Sequence, residues 1–565
     1  MPEEPALIAQ FYIKIDGAEA PQGVMDNLIS IEVDDSLNLP DMFTIQLRDP
    51  NLEWTDSDTL GIGKEVEISV QGESSRAKLT VGEITACETS FKHGAGATMI
   101  ARGYDQSHRL NRGRQAKSFV QVTDSDIATR IARELGLKAE TDSTAEVHEY
   151  VLQDNQTNLE FLESRAKRIG FRVLVEGGTL YFKRIPEEGT EVPVLEWGVN
   201  LSEFNARLTT SKQASEVEFR GWDPQAKREI VGRANRAQDM PEVGERRQGG
   251  QVAEAAFSTA GKEIVVNRVV GTQAEADALA QSLCEEMGGD FIQAEGVCAG
   301  NPAVCAGAMV EFKGLSERFQ GRYRITHALH HYDAKGYATR FTISGRHDNT
   351  LAELVSRQSG GSGSHSVVVG IVTNNQDPNG MGRVKVKFPW LAEGIESHWA
   401  RIASPMAGQN RGMVFLPEVN DEVLVAFEHG DLNRPYVLGG LWNGVDKPPE
   451  GNKDGKNNIR KICSRSGHEI IFDDNSTARK EKIEIHTKAG HKILLDDSAG
   501  QEKIEIKDRT GKNVIKMDSV QNSITLSSAM KLDIDAQMIE LNAKQMMTLK
   551  AGATLTIQGA IVKIN

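Results

Sequence analysis

From Ile524 to Ile564 the sequence repeats every seven or eight residues. Alternating triplets recur: Ile524/Leu526/Ser528, Leu532/Ile534/Ala536, Ile539/Leu541/Ala543, Met547/Leu549/Ala551 and Leu555/Ile557/Gly559, followed by Val562/Ile564. Their starts step by 8, 7, 8, 8 and 7, and the third member is always small. One such unit is a strand plus a corner. A solenoid layer needs about 20–45 residues to enclose a core of its own. Three chains giving one unit each make about 24 residues per layer, which is enough. The small third residue then fits where three backbones crowd at a corner. The period therefore predicts an intertwined trimeric β-helix, or β-prism, with Leu532, Ile534, Ile539, Leu541, Met547, Leu549, Leu555 and Ile557 on its axis. A single-chain β-solenoid or an irregular β-domain is the alternative reading of the same pattern.

Just upstream the unit is longer, about 21–23 residues: Gly467–Asp474 (GHEIIFDD), Gly490–Asp497 (GHKILLDD) and Gly511–Asp518 (GKNVIKMD). The run Glu481-Lys-Ile-Glu-Ile485 recurs intact at 502–506. From residue 461 onward there is no proline and one aromatic, Phe472. Such a segment can donate backbone N–H groups along its whole length but lacks the large side chains of an ordinary core.

The remaining chain reads as three blocks. Residues 1–355 alternate strand patterns, such as Phe11–Ile15 and Val66–Val70, with helices. Thr123 is placed to cap a helix stopped by Gly136; Thr157 and Glu160 form a capping-box pattern for a helix over 157–169 ended by Gly170; a third helix is expected over 273–287. Residues 356–366 read as a Gly/Ser linker, 367–445 as an all-β block with turn signals, and 446–460 as a polar connector to a needle over 461–565.

Composition narrows the function classes. The net charge of −15 over 565 residues argues against a general nucleic-acid binder. No apolar run approaches the ~18 residues of a spanning helix. The opening MPEEPALIAQ lacks the apolar region of a signal peptide, so synthesis in the cytoplasm is expected. Five scattered cysteines suit a reducing compartment.

The all-β block carries, in order, Gly382-Arg-Val-Lys-Val-Lys-Phe-Pro-Trp390, Gly412-Met-Val-Phe-Leu-Pro417, Asp421-Glu-Val-Leu-Val-Ala-Phe427, His429-Gly-Asp431 and Gly439-Gly-Leu-Trp-Asn443. It resembles the OB-fold domain of VgrG spikes and phage baseplate-spike proteins. Residues 1–355 resemble the hub half of the same family, akin to phage late-control protein D, through Gly103-Tyr-Asp-Gln-Ser-His-Arg-Leu110, Val122-Thr-Asp-Ser-Asp-Ile127 and Ala299-Gly-Asn-Pro302. The form of 103–110 looks closer to extracellular phage-tail-like injection particles than to many type VI spikes. The resemblance covers nearly the whole chain. It implies a mainly β protein: an α+β hub with phage-hub-like barrel domains, an OB-fold, then the trimeric needle. It also implies the structural central spike of a contractile injection system, which caps the inner tube, organises the baseplate and punctures a target envelope. The implied partners are further copies of the chain, a PAAR-like tip protein, an Hcp-like inner-tube protein, baseplate proteins and effector cargo, with no nucleic acid. The tip partner would sit on Ile561, Val562, Lys563, Ile564 and Asn565.

No catalytic residue, metal or cofactor is expected. Motifs for a zinc protease, a P-loop and a serine nucleophile are missing. Cys298 and Cys305, near His327, His330 and His331, lack zinc-knuckle spacing and read as packing or loop residues. His468 and His491 occupy equivalent repeat positions and read as turn residues, with an axial ring as the alternative. Asp473-Asp474 and Asp496-Asp497 read as turn formers, because neighbours on a strand face opposite sides. Arg383, Lys385 and Lys387 alternate along one strand, the pattern of a cationic face. Two rival functions are an envelope-degrading tail enzyme and an adhesin-type binding module. The short connector leaves no room for a lysozyme insert, and no knob or fused effector is expected after the repeat.

Overall fold

Strands built on alternating apolar residues need partners at their edges, and in the hub those partners come from far along the chain. His327–Asp333 pairs antiparallel with Leu28–Ser36, His330 opposite Val33, and His327 Nε2 lies 2.7 Å from Asp34 Oδ1, 293 residues away. The computed structural model describes residues 10–37, 39–71, 76–93, 96–184, 192–238, 240–345, 367–391 and 394–564. The Gly/Ser linker at 356–366 lies outside the described residues. Backbone contacts divide the chain into two units, Met1–Leu441 and Trp442–Asn565.

In the first unit an 11-stranded antiparallel sheet joins residues 11–104 to residues 201–343. Phe11–Ile15 alternates buried and half-buried positions, as its sequence predicts. Its buried face packs with Ile31, Val33, Phe43, Ile45, Val66 and Ile68.

Two α/β lobes decorate this sheet. In the first, Asp124–Glu134 is capped by a reciprocal Thr123/Asp126 box. Asn158–Ile169 is capped by Thr157 and Glu160 and ends on Gly170 at φ 73°. Both helices bury Ile127, Ile131, Phe161 and Leu162 against Leu180 and Phe182. In the second, Gln273–Gly289 lies on the strands Glu216–Asp223 and Arg228–Ala234. Gly232 makes that approach possible: a Cβ there would stand 2.2 Å from the Ala276 backbone.

The OB block forms a five-stranded sheet in the order Lys385–Lys387, Val368–Asn374, Glu422–Phe427, Pro435–Gly440, Arg401–Ile402. Val372, Val386, Phe388, Val423, Val425 and Val437 fill its core, and Leu152 of the hub completes it.

Candidate functional site

The long repeat of the second unit is a hairpin. Seven strands (Ile459–Cys463, Glu469–Asp473, Lys482–His486, Lys492–Asp496, Lys503–Lys507, Val514–Asp518 and Ser523–Ser527) pair in chain order as an antiparallel meander. Gly467, Gly490 and Gly511 hold φ of 87°, 97° and 70°, a region that glycine enters without steric cost. Their amides close equivalent turns on the carbonyls of Ser464 (2.8 Å), Thr487 (2.8 Å) and Asp508 (3.0 Å). His468 and His491 are exposed beside these turns, the turn placement that the sequence indicated. Asp473 and Asp496 accept from the Asn475 and Ser498 amides at 3.2 and 3.0 Å, turn chemistry again.

The register sorts side chains by face, because the pleat repeats every two residues. On one face, Ile462, Ile470, Ile485, Ile493, Ile506, Ile515 and Leu526 stand opposite one another in one row. Phe472, Ile483, Leu495, Ile504, Met517 and Ile524 form a second row beside it. These residues are exposed, from 38% for Ile483 to 70% for Ile524; only Ile470 is half-buried. A contiguous apolar face of this extent marks an interaction surface. Covering one half-exposed Ile or Leu stabilises by about 1 kcal/mol.

The opposite face carries the charges, with Ile471, Val514 and the buried Leu494 set among them. Asp473, Lys482, Asp496, Lys503 and Asp518 stand opposite one another in alternating sign, which favours this register over like-charge pairings. Beside them Glu484 accepts from Lys482 at 2.8 Å and Lys492 at 2.9 Å, and Glu469 meets Lys461 at 2.6 Å and His486 at 3.1 Å. Burial raises the Glu484 pKa, but the two lysines outweigh it and hold the carboxyl below its ordinary range.

Beyond Ser527 strand pairing stops. Residues 528–564 form no strand within the chain and all are exposed. The eight expected axial residues lie here, from Met547 at 50% to Leu541 at 69% exposed, and no intrachain pairing brings them together. Ile561, Val562, Lys563 and Ile564 are exposed as well; Asn565 lies outside the described residues. The sequence reading counted Ile524 and Leu526 in the short repeat and placed the axis from Leu532 onward, and it did not single out the rest of the two apolar rows, from Ile462 to Met517. Their signal was the alternation inside the repeated Lys-Ile-Glu-Ile strands.

Other candidates dissolve into packing. Cys298 is buried in Ile292–Ala299, and burial pushes its thiol up to about 12. His330 accepts or donates at 2.7 Å to Tyr337 Oη, and burial pulls it down to about 4. Among the described residues no group of three or more His, Cys, Asp or Glu is placed to hold a metal. Two cations of the alternation at 383–387 are engaged: Arg383 is buried against Asp377 at 2.7 Å, and Lys385 reaches Glu396 at 3.5 Å; Lys387 is exposed. Among the described residues no helix is long and apolar enough to cross a membrane.

Known proteins match this arrangement. Residues 5–333 match the family described as the Alg8 N-terminal domain. The chain belongs to that family. Residues 368–442 of this Alg8-family chain match the type VI secretion system/phage-baseplate injector OB domain. The chain is 38% identical over 72 residues to the type VI secretion system spike protein VgrG2a of Pseudomonas aeruginosa, 12% of this chain and 9% of that protein. To the spike protein VgrG1a of the same organism it is 22% identical over 428 residues, 69% of this chain and 63% of that protein. The chain thus spans less than two-thirds of either relative. A solved Francisella PdpA-VgrG complex shares the fold, with a TM-score of 0.54 at 8% identity over 89% of this chain and 88% of that one. The Alg8-family chain is mainly β and VgrG-like in fold, with an injector OB domain at residues 368–442.

Proposed function

We propose that the chain is the homotrimeric central spike of a contractile injection system. The hub (1–355) caps the inner tube and seats the baseplate. The OB domain (367–445) joins it, through the connector 446–460, to a needle (461–565) that concentrates force on a target envelope. The observation that carries this reading is the exposed apolar face of the meander, continued by a segment with the same alternation and no intrachain pairing. Three copies can turn those faces inward and pair the distal strands with one another, which also removes free sheet edges. The mechanism is stiffness and symmetry.

The proposed partners are those that the resemblance to VgrG-like spikes implies. Ile561 and Ile564 are 79% and 86% exposed, and with Val562 they offer an apolar seat, beside Lys563, for a PAAR-like tip protein; Asn565, the last residue assigned to that seat by the sequence, lies outside the described residues. An Hcp-like tube protein and baseplate proteins meet the hub, and effector cargo travels with the spike when the particle fires. Light scattering on the purified chain tests the core of the reading. A mass near three times 61.9 kDa supports it. A stable monomer at micromolar concentration overturns the self-sufficient trimer.

A further inference from the structure

The hub and the OB domain meet at a narrow seam beside a cleft of about 680 Å³. The Leu152 amide of the hub donates to Asn433 Oδ1 of the OB domain at 2.8 Å, and the Leu152 side chain is buried in the OB core. On the same hub strand, Glu149 Oε2 lies 3.0 Å from His398 Nε2, and the Tyr150 ring packs on the imidazole with centroids 6.1 Å apart. His398 is the titrating group of this seam, and its side chain is 17% exposed.

The charges facing His398 come from three elements. Glu149 approaches from the hub strand. Arg383 and Arg434 approach from the two OB segments that precede Lys385–Lys387 and Pro435–Gly440. Arg383 is engaged with Asp377 at 2.7 Å. Arg434 packs against Gly271, where a Cβ would stand 2.0 Å from its Nη2, and lies near Glu275. The other cleft histidine, His148, is held inside the hub by Asp124 and Arg165 at 3.2 and 2.7 Å.

We propose that this seam is a proton-operated latch, in which protonation of His398 loosens the OB domain from the Glu149–Leu152 strand of the hub. Neutral His398 donates from Nε2 to the Glu149 carboxylate and keeps Tyr150 covered. An imidazolium in the same place carries a partly buried charge beside two guanidinium groups. The adjoining cleft gives the ring room to swing out, which breaks the contacts to Glu149 and Tyr150 together. Burial holds the His398 pKa below its ordinary 6.5, and Arg434 and Arg383 act in the same direction against Glu149. For a base depressed in the folded state, the latch is closed above the ordinary value and weakens as pH falls through it.

Amide exchange on the full chain tests this, with protection corrected for the intrinsic pH dependence. Between about pH 7.5 and about pH 5, Leu152 protection falls, while amides in the sheet around Val33 keep theirs. His398→Gln retains a donor toward Glu149 but cannot be protonated, so its Leu152 protection is the same at both pH values. Unchanged wild-type protection, or an equal fall in His398→Gln, overturns the proposal. If His398→Gln does not fold, a histidine NMR titration of the wild-type chain decides: a His398 midpoint below 6.5 that rises in Glu149→Gln, or one at or above it, overturns the latch. A depressed midpoint that falls further in Glu149→Gln supports it.

Discussion

Residues 459–527 and 528–564 share one alternation of apolar and polar residues, yet only the first forms a sheet within a single chain. The difference lies in unit length. At 21–23 residues the chain has room for two strands and the glycine turns that return it to its own edge. At seven or eight residues there is room for a strand and a corner but no return turn, and residues 528–564 form no strand within the chain. In the first stretch each copy completes its own sheet and lacks only cover for one face. In the second each copy lacks both cover and backbone partners. In the proposed trimer, period rather than hydrophobicity sets how much of the structure other copies supply.

Leu541→Asp is the strongest way to break this contrast. It places three charges on the proposed axis, where each unpaired ion costs several kcal/mol. The distal segment should lose its cooperative melting and its amide protection, while the meander keeps both. A variant with wild-type melting would remove Leu541 from the axis.

Acid should act on the other half. Lys461 and Lys516 hold Glu469 and Asp518 below their ordinary values of 4.5 and 3.8, and lysines do the same for Glu484. A depressed carboxyl contributes stability above its unfolded pKa and loses it as pH falls through the folded one. Meander protection should therefore decline below about pH 4, ahead of the distal segment. Equal decline in both stretches would show that the charge ladder does not distinguish them. Gly490→Ala gives the smallest effect. At φ 97° an added Cβ costs about 1 kcal/mol, read as a slight drop in meander melting with distal exchange untouched.

Local features of the hub were legible because their causes are local. The Thr157/Glu160 box and Gly170 mark a helix within four residues of each end, and the structure places it at Asn158–Ile169. The pairing of His330 with Val33, and the burial of Leu152 in the OB core, depend on which surfaces meet across the fold, and no residue spacing encodes that. The Arg383 alternation has the pattern of a cationic face, but Asp377 on the preceding turn pairs with Arg383, a contact that spacing along the strand does not reveal. In the tail, the eight-residue period pointed to residues 532–557. The apolar rows from Ile462 to Met517 were hidden inside a longer repeat whose turns draw the eye before its strands do.

The strandless stretch from 528 to 564 also has a kinetic consequence. A segment that can pair only with other copies would, alone, order at a rate set by encounters among three dilute chains. The meander lies directly before it and offers a surface on which copies can first gather. Once gathered, the distal strands meet at an effective concentration in the millimolar range, as for short tethers, and a slow encounter becomes a fast closure within one assembly. In the proposed trimer, the order of the two repeats along the chain is thus also an order in time, with the proposed needle growing outward from the meander.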